Sequence, residues 1–232
     1  MFDRYSISSR IVEIQKLLTF ESVEEIKPIY NAAPTKLLPV ITNESPRGIS
    51  FFYWGLPPNW SKNRAVSKKL IQADIEQLNS KTSYRNALKK RRCLVPADGI
   101  YLWKKVSKKG KVPYRFIQKN QKPFFMPGLW DEFEDDQGKL VHTFLIITSY
   151  PVEAFKIFDF EIPVILKDTN LTAWIDDSRS TEDLKQMLLN GSEDEMNTYP
   201  VSSNISKLNY DEPDLIEPSS PVDQFGNYSL FD

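Results

Sequence analysis

The stretch from residue 91 to 104 (RRCLVPADGIYLWK) constrains the fold more than any other segment. It holds a short apolar run, then Pro96-Ala97-Asp98-Gly99, then an aromatic-rich run ending at Trp103. Val, Ile, Tyr and Trp suit a pleated, half-buried surface, and Pro, Asp and Gly supply the backbone geometries of a turn. The segment therefore predicts a buried strand, a sharp bend and a second strand. The same grammar recurs along the chain. Residues 36–41 and 49–54 predict a strand pair around the turn at 43–48. Further strands are predicted at 3–10, 70–76, 114–118, 124–133, 141–148 and 163–166, and a strand and loop over 199–216. Helical spacing of Ile11, Ile14, Leu17 and Leu18 predicts a helix over 10–20. Others are expected at 82–90 with Ser/Thr caps, 152–157, 170–176 capped by Thr169 or Asn170, and 181–189. With no internal repeat and no linker, this reads as one compact, mostly-β domain with a few helices.

The 232 residues carry a net charge of −1, too little positive charge for a general DNA coat. One cysteine, Cys93, excludes a disulfide framework and a thiolate metal site, and one histidine, His142, excludes a His-rich one. Phosphate-loop, dinucleotide-loop, nucleophile-elbow and zinc-protease motifs are absent, so no cofactor and no metal are expected. No apolar run approaches the ~18 residues of a membrane span, and the first ten residues lack a signal-type apolar core. The expectation is a cytoplasmic protein without membrane contact. His142 reads as a surface residue on an edge strand, and residues 62–69 as a solvated basic loop. Trp54 and Trp60 bracket a Pro-rich bend that reads first as core closure and second as a stacking wall. The basic end of the 82–90 helix suits the negative pole of that helix.

Several blocks, in this order, resemble one known family. They are Tyr30-Asn31-Ala32-Ala33-Pro34-Thr35, the bend from Trp54 to Trp60, Ser83-Tyr84-Arg85, and Arg91 through Gly99. Pro127-Gly128-Leu129-Trp130, Thr143-Phe144 with Ile147-Thr148, Pro163-Val164-Ile165-Leu166 and Pro200-Val201-Ser202 through Pro218 complete the set. The chain is thereby identified as similar to the SRAP (SOS response-associated peptidase) family over roughly residues 1–218 of its sequence. Residues 219–232 form a polar, loosely held C-terminal tail. The resemblance implies an α+β fold: a single compact mostly-β domain of mixed, barrel-like sheet with several peripheral helices. It also implies a relation to abasic-site sensors of single-stranded DNA that cross-link through a cysteine at position 2.

At the reactive positions this chain departs from the family pattern. The family opening Met-Cys-Gly-Arg is here Met1-Phe2-Asp3-Arg4. A benzyl side chain can neither attack an aldehyde nor close a thiazolidine, and a bulky second residue is expected to leave Met1 in place. The family Asn corresponds to Gln72 and its phosphate-holding Arg to Asp74. The catalytic Glu corresponds to Leu102, the catalytic His to Asp159 and a neighbouring Arg to Glu161. Cys93 sits in an apolar run where it reads as structural. The resemblance implies a DNA-facing set of Arg4, Asn31, Pro34, Trp60, Arg85 and Trp103.

The expectation is a catalytically inactive relative of the abasic-site enzymes, its protein partner unspecified. A carboxylate about 6 Å from a phosphate repels it by roughly 1–3 kcal/mol, so Asp3, Asp74 and Glu161 predict weak or absent single-stranded DNA binding. Two alternatives stand beside this: a weak, non-covalent single-stranded DNA binder, and a different activity on a carboxylate cluster of Asp3, Asp74, Glu76, Asp159 and Glu161.

Overall fold

The computed structural model describes residues 2–19, 26–57, 68–135, 137–150, 158, 160–191 and 196–228. Twelve strands are found among them: β1 (Tyr5–Ile7), β2 (Ile29–Ala32), β3 (Leu37–Thr42), β4 (Ser50–Trp54), β5 (Gln72–Asp74), β6 (Arg92–Ala97), β7 (Gly99–Lys105), β8 (Lys111–Gln118), β9 (Phe124–Glu134), β10 (Leu140–Ser149), β11 (Ile162–Pro163) and β12 (Met196–Pro200). The helices are α1 (Ile11–Gln15), α2 (Lys68–Ile71), α3 (Gln77–Ser80), α4 (Thr82–Lys90), α5 (Leu171–Trp174) and α6 (Thr181–Leu189), with short 3-10 turns between them.

Five strands close on themselves. β3 pairs with β4 and β6, β6 with β9, β9 with β10, and β10 returns to β4. All of these pairings are antiparallel except β10 with β4, so the barrel is mixed. Closure removes the unpaired edges that an open sheet would leave. β5 and β11 extend the sheet from β10. The second sheet runs β12-β8-β7-β1-β2. The segment singled out in the sequence joins the two layers, since β6 belongs to the barrel, β7 to the second sheet, and Asp98 is the corner between them.

One apolar core serves both layers, drawing on Phe2, Tyr5 and Leu102 from the second sheet's side and on Trp54, Leu94, Val95 and Phe144 from the barrel. Inside the barrel, Cys93 is buried, and burial pushes its thiol well above the ordinary range, which makes it an inert core group. It faces Gly128, where a β-carbon would stand 2.8 Å from the Cys93 sulfur and 2.7 Å from the Leu145 carbonyl oxygen. A smaller core behind β7 gathers Tyr101, Val201, Ile205 and Leu215.

The corner is held by charge. The Asp98 carboxylate accepts from Ser6 Oγ at 2.6 Å and from the backbone amides of Ser8 and Ser9, and it pairs with Arg115 at 2.9 Å. Arg115 also donates to Tyr199 Oη at 2.8 Å, tying β12 into the network. At the other end of β6, the buried Arg92 guanidinium donates to the carbonyls of Leu88 and Lys89 and to Asp177. The last carbonyls of α4 are thus satisfied by Arg92, a residue beyond the helix, and its terminal lysines are left on the surface.

Several local expectations are corrected. The opening strand is only Tyr5–Ile7 and the first helix only Ile11–Gln15. α4 spans Thr82–Lys90 as expected, but Thr82 and Ser83 lie inside it and its N-cap Lys81 makes no side-chain cap bond. Asn170 stands at the N-cap of α5 as one of the two expected candidates, but its side chain makes no cap bond, and the chain enters through a 3-10 turn, Asp168–Asn170. α6 is capped, by Ser180 accepting from the Asp183 amide. His142 lies on β10, an interior strand paired with β9 and β4, half-buried and stacked on Phe52 at 4.8 Å. The helix expected at 152–157 and most of the basic loop at 62–69 fall outside the described residues. The C-terminal tail is pinned where it is described: Gln224 accepts from the Lys111 amide and donates to the Lys109 carbonyl, and Val222 bridges to Tyr228.

Candidate functional site

Of the residues that the family pattern places around the reaction, Phe2, Gln72 and Leu102 are described, and they lie at the seam between the barrel and the second sheet. Phe2 is 0% exposed. Its ring packs 5.6 Å from Trp54 and 6.5 Å from Tyr5, and Trp54 continues the stack to Phe144 at 6.3 Å. Leu102, on β7, is also 0% exposed and belongs to the same core. Gln72, on β5, is buried and donates through Nε2 to the Phe2 carbonyl at 2.9 Å, which fixes the N-terminal segment against the barrel. Its Oε1 is buried without a partner among the described residues. Position 2 is therefore a packed aromatic anchor, and the neighbouring position 102 adds another apolar wall. Asp159 lies outside the described residues, while Glu161 stands half-buried at the start of β11.

The expected DNA-facing set divides. Arg4 is buried, donating to the Asp3 carbonyl oxygen at 2.6 Å and pairing with the Asp3 carboxylate at 3.2 Å. Burial raises the Asp3 carboxyl above its ordinary range against the pull of Arg4, and burial lowers the Arg4 guanidinium. The residue at position 3 thus occupies the cation at position 4. Asn31 is fully buried, and its Nδ2 donates to the carbonyls of Ile205, Lys207 and Tyr210. Asp211 accepts from the amides of Tyr30 and Asn31 and meets Lys36, so this strand holds down the segment around residue 210. Pro34 lies in the turn before β3, beside Thr35 at φ 71°. Trp103 packs half-buried on the small core behind β7. Arg85 is exposed on α4, with one bond, to Thr82 Oγ1 at 3.2 Å. Trp60 lies outside the described residues.

Four of the five carboxylates, all but Asp159, lie among the described residues. Asp74 is half-buried and accepts from the Glu76 amide at 2.9 Å, while Glu76 is exposed. Among the described residues no three His, Cys, Asp or Glu side chains come together in an arrangement that could hold a metal ion.

The model of the SOS response associated peptidase (SRAP) family matches residues 1–208. The chain belongs to the SRAP family. Among its relatives, the abasic site processing protein YoqW of Bacillus subtilis (strain 168) is 34% identical over 218 residues, covering 93% of this chain and 97% of that protein. The abasic site processing protein YobE of the same organism is also 34% identical over 218 residues, with the same coverage. A crystal structure of a protein from Bacteroides thetaiotaomicron superposes with a TM-score of 0.77 at 23% identity, covering 93% of this chain and 99% of that one. The mixed barrel with its second sheet is therefore the SRAP fold. Among the described residues, no helix is long and apolar enough to cross a membrane.

Two features of this SRAP chain were missed in the sequence. The Asp98–Arg115 pair joins the corner between β6 and β7 to β8, and only the Asp98-Gly99 turn hinted at it. Gly99 is required there because a β-carbon would stand 2.4 Å from Arg115 Nε. The occupation of Arg4 by Asp3 was readable as adjacency, but its geometry depends on burial.

Proposed function

We propose that this SRAP protein serves the DNA-damage response as a non-catalytic member of the family, without forming the covalent bond to an abasic site. The observation that carries the reading is the packing of Phe2: a fully buried ring, tilted against Trp54 and stacked on Tyr5, stands where the family pattern has its nucleophile. A phenyl ring offers no lone pair to an aldehyde and no acidic proton to a base. Leu102, also buried, offers no carboxylate for proton transfer. The names of the relatives, abasic site processing proteins, support a DNA-related role.

Contact with single-stranded DNA, in this reading, is weak and non-covalent. Arg4 is spent on Asp3, Asn31 on backbone carbonyls, and Asp74 replaces a cation with an anion. Among the described residues, Arg85, Trp103 and Pro34 remain as the contacts. The test is fluorescence anisotropy with a labelled single-stranded oligonucleotide, with and without one abasic site, across a salt series. The expected result is weak binding, a shallow salt slope and no preference for the abasic strand. Micromolar binding with a steep slope and a clear abasic preference would overturn it.

A further inference from the structure

A groove runs between α4 and the strands β9 and β10. Its floor is apolar, built from Tyr84 and Ala87 of α4, Leu129 and Phe133 of β9, and Leu145 of β10, around a cavity of about 280 Å³. It opens into a second cavity of about 450 Å³, lined by Asn86, Lys89, Lys90 and Asp131. Ser83, Ala87 and Asp131 line both, so the two form one continuous channel.

The charge along this channel is uneven. α4 carries Arg85, Lys89 and Lys90 and no acidic residue. Lys89 and Lys90 are exposed and have no ion-pair partner among the described residues, and the carbonyls at the end of the helix are bonded by Arg92 and Asn43. The facing strand is acidic, with Asp131, Glu132 and Glu134. Arg91 pairs with Asp131 and, at 3.0 Å, with Glu132, and lies 5.4 Å over the Trp130 ring, which locks that wall in place. A nucleic-acid strand laid along the channel would bring phosphates against the acids of β9 as well as the lysines of α4. A short amphipathic segment meets less of this conflict: it places apolar side chains on the floor and its carboxylates at the lysine end only, where the one facing acid, Asp131, is already paired with Arg91.

We propose that this groove docks an acidic amphipathic peptide segment of a partner protein, with apolar side chains over Ala87 and Leu129 and carboxylates on Lys89 and Lys90. This is the helix-in-groove mode, in which apolar anchors one turn apart give affinity and charge gives register. It goes beyond the DNA reading and does not depend on it, since neither Phe2 nor Leu102 lines the groove.

The experiment uses the full chain and a panel of labelled peptides of about twelve residues, each with two leucines one helical turn apart and a run of glutamates. Matched panels replace the glutamates with lysines, or the leucines with serines, and an oligothymidylate of similar length reports nucleic-acid binding. Saturable binding is expected for members of the acidic, leucine-bearing panel only. It should weaken about tenfold or more in the Lys89→Glu/Lys90→Glu protein, as expected for loss of a complementary charge pair. An Ala87→Gln protein, in which a longer polar side chain enters the floor, should lose it as well. The lysine positions are exposed, so unchanged melting of the double variant confirms that it folds. The proposal is overturned if no acidic panel member saturates, if the lysine and glutamate panels bind alike, if the charge-reversed protein binds as the parent does, or if oligothymidylate is the probe that Lys89 and Lys90 retain.

Discussion

Truncating Phe2 to alanine is expected to destabilise the protein by about 3–5 kcal/mol, the range for removing a large ring from a packed core. Phe2 is fully buried between Trp54 and Tyr5, and its backbone carbonyl is held by Gln72. Deleting the ring leaves a void under two aromatic neighbours that cannot both follow it. For a chain of this size the melting temperature should fall by roughly 6–20 °C. Urea unfolding of the parent and variant measures the difference directly. A residue lining an open cleft behaves otherwise, since exposed substitutions stay within about 0.5 kcal/mol. A small loss would therefore mean that the position is not the anchor described. The same packing explains why restoring a cysteine at position 2 should not restore chemistry: the thiol would sit beside Leu102, in a core with no base to ionise it, as Cys93 already does nearby.

The second large effect concerns the corner between the two layers. Replacing Asp98 with alanine leaves the Arg115 guanidinium buried and uncompensated, which costs about 3–5 kcal/mol in comparable broken pairs. It also removes the acceptor for Ser6 Oγ and for the amides of Ser8 and Ser9, so the link between β1 and β7 loosens. Asp98→Asn should cost less, because an amide oxygen still accepts from those donors while failing to neutralise Arg115. Equilibrium unfolding of both variants gives the order. Equal and small losses would show that Arg115 finds another partner, and the corner would then not depend on charge.

Much of the fold was legible in the sequence because it rests on local grammar. Alternating apolar runs and Asp-Gly or Pro-rich turns predicted a strand–turn–strand within 91–104 and a strand at 141–148; the structure places strands at 92–97, 99–105 and 140–149, with Pro96 and Ala97 in the first strand and only Asp98 at the bend. Closure of the barrel was not readable from the residues themselves. It depends on the parallel pairing of Phe144 with Trp54, two residues far apart in sequence that no turn brings together. Helix ends were misread where Thr82 and Ser83 looked like caps, since a hydroxyl residue inside the first turn has the same composition as one before it. His142 was misread for a related reason: composition cannot say whether the strand beside it has one neighbour or two.

The candidate site was legible in one sense only. Comparison with the family pattern identifies Phe2, Gln72, Leu102 and Asp159 as departures, but only packing shows what the first three do instead. Phe2 and Leu102 fill the seam, and Gln72 holds the backbone of Phe2. Asn31 reads as a polar loop residue, yet its amide is spent on carbonyls more than 170 residues away, at Ile205, Lys207 and Tyr210. Such partners leave no trace in a linear pattern, because backbone carbonyls are the same at every position.

In the proposed reading the SRAP scaffold is kept here while its covalent chemistry is not. Intact-mass measurement after incubation with a single-stranded oligonucleotide bearing one abasic site tests this most directly, with the relative YoqW run in parallel. The account predicts that this chain retains its unmodified mass and releases all of the oligonucleotide under denaturing conditions. A species heavier by the mass of the oligonucleotide, surviving denaturation, would contradict it.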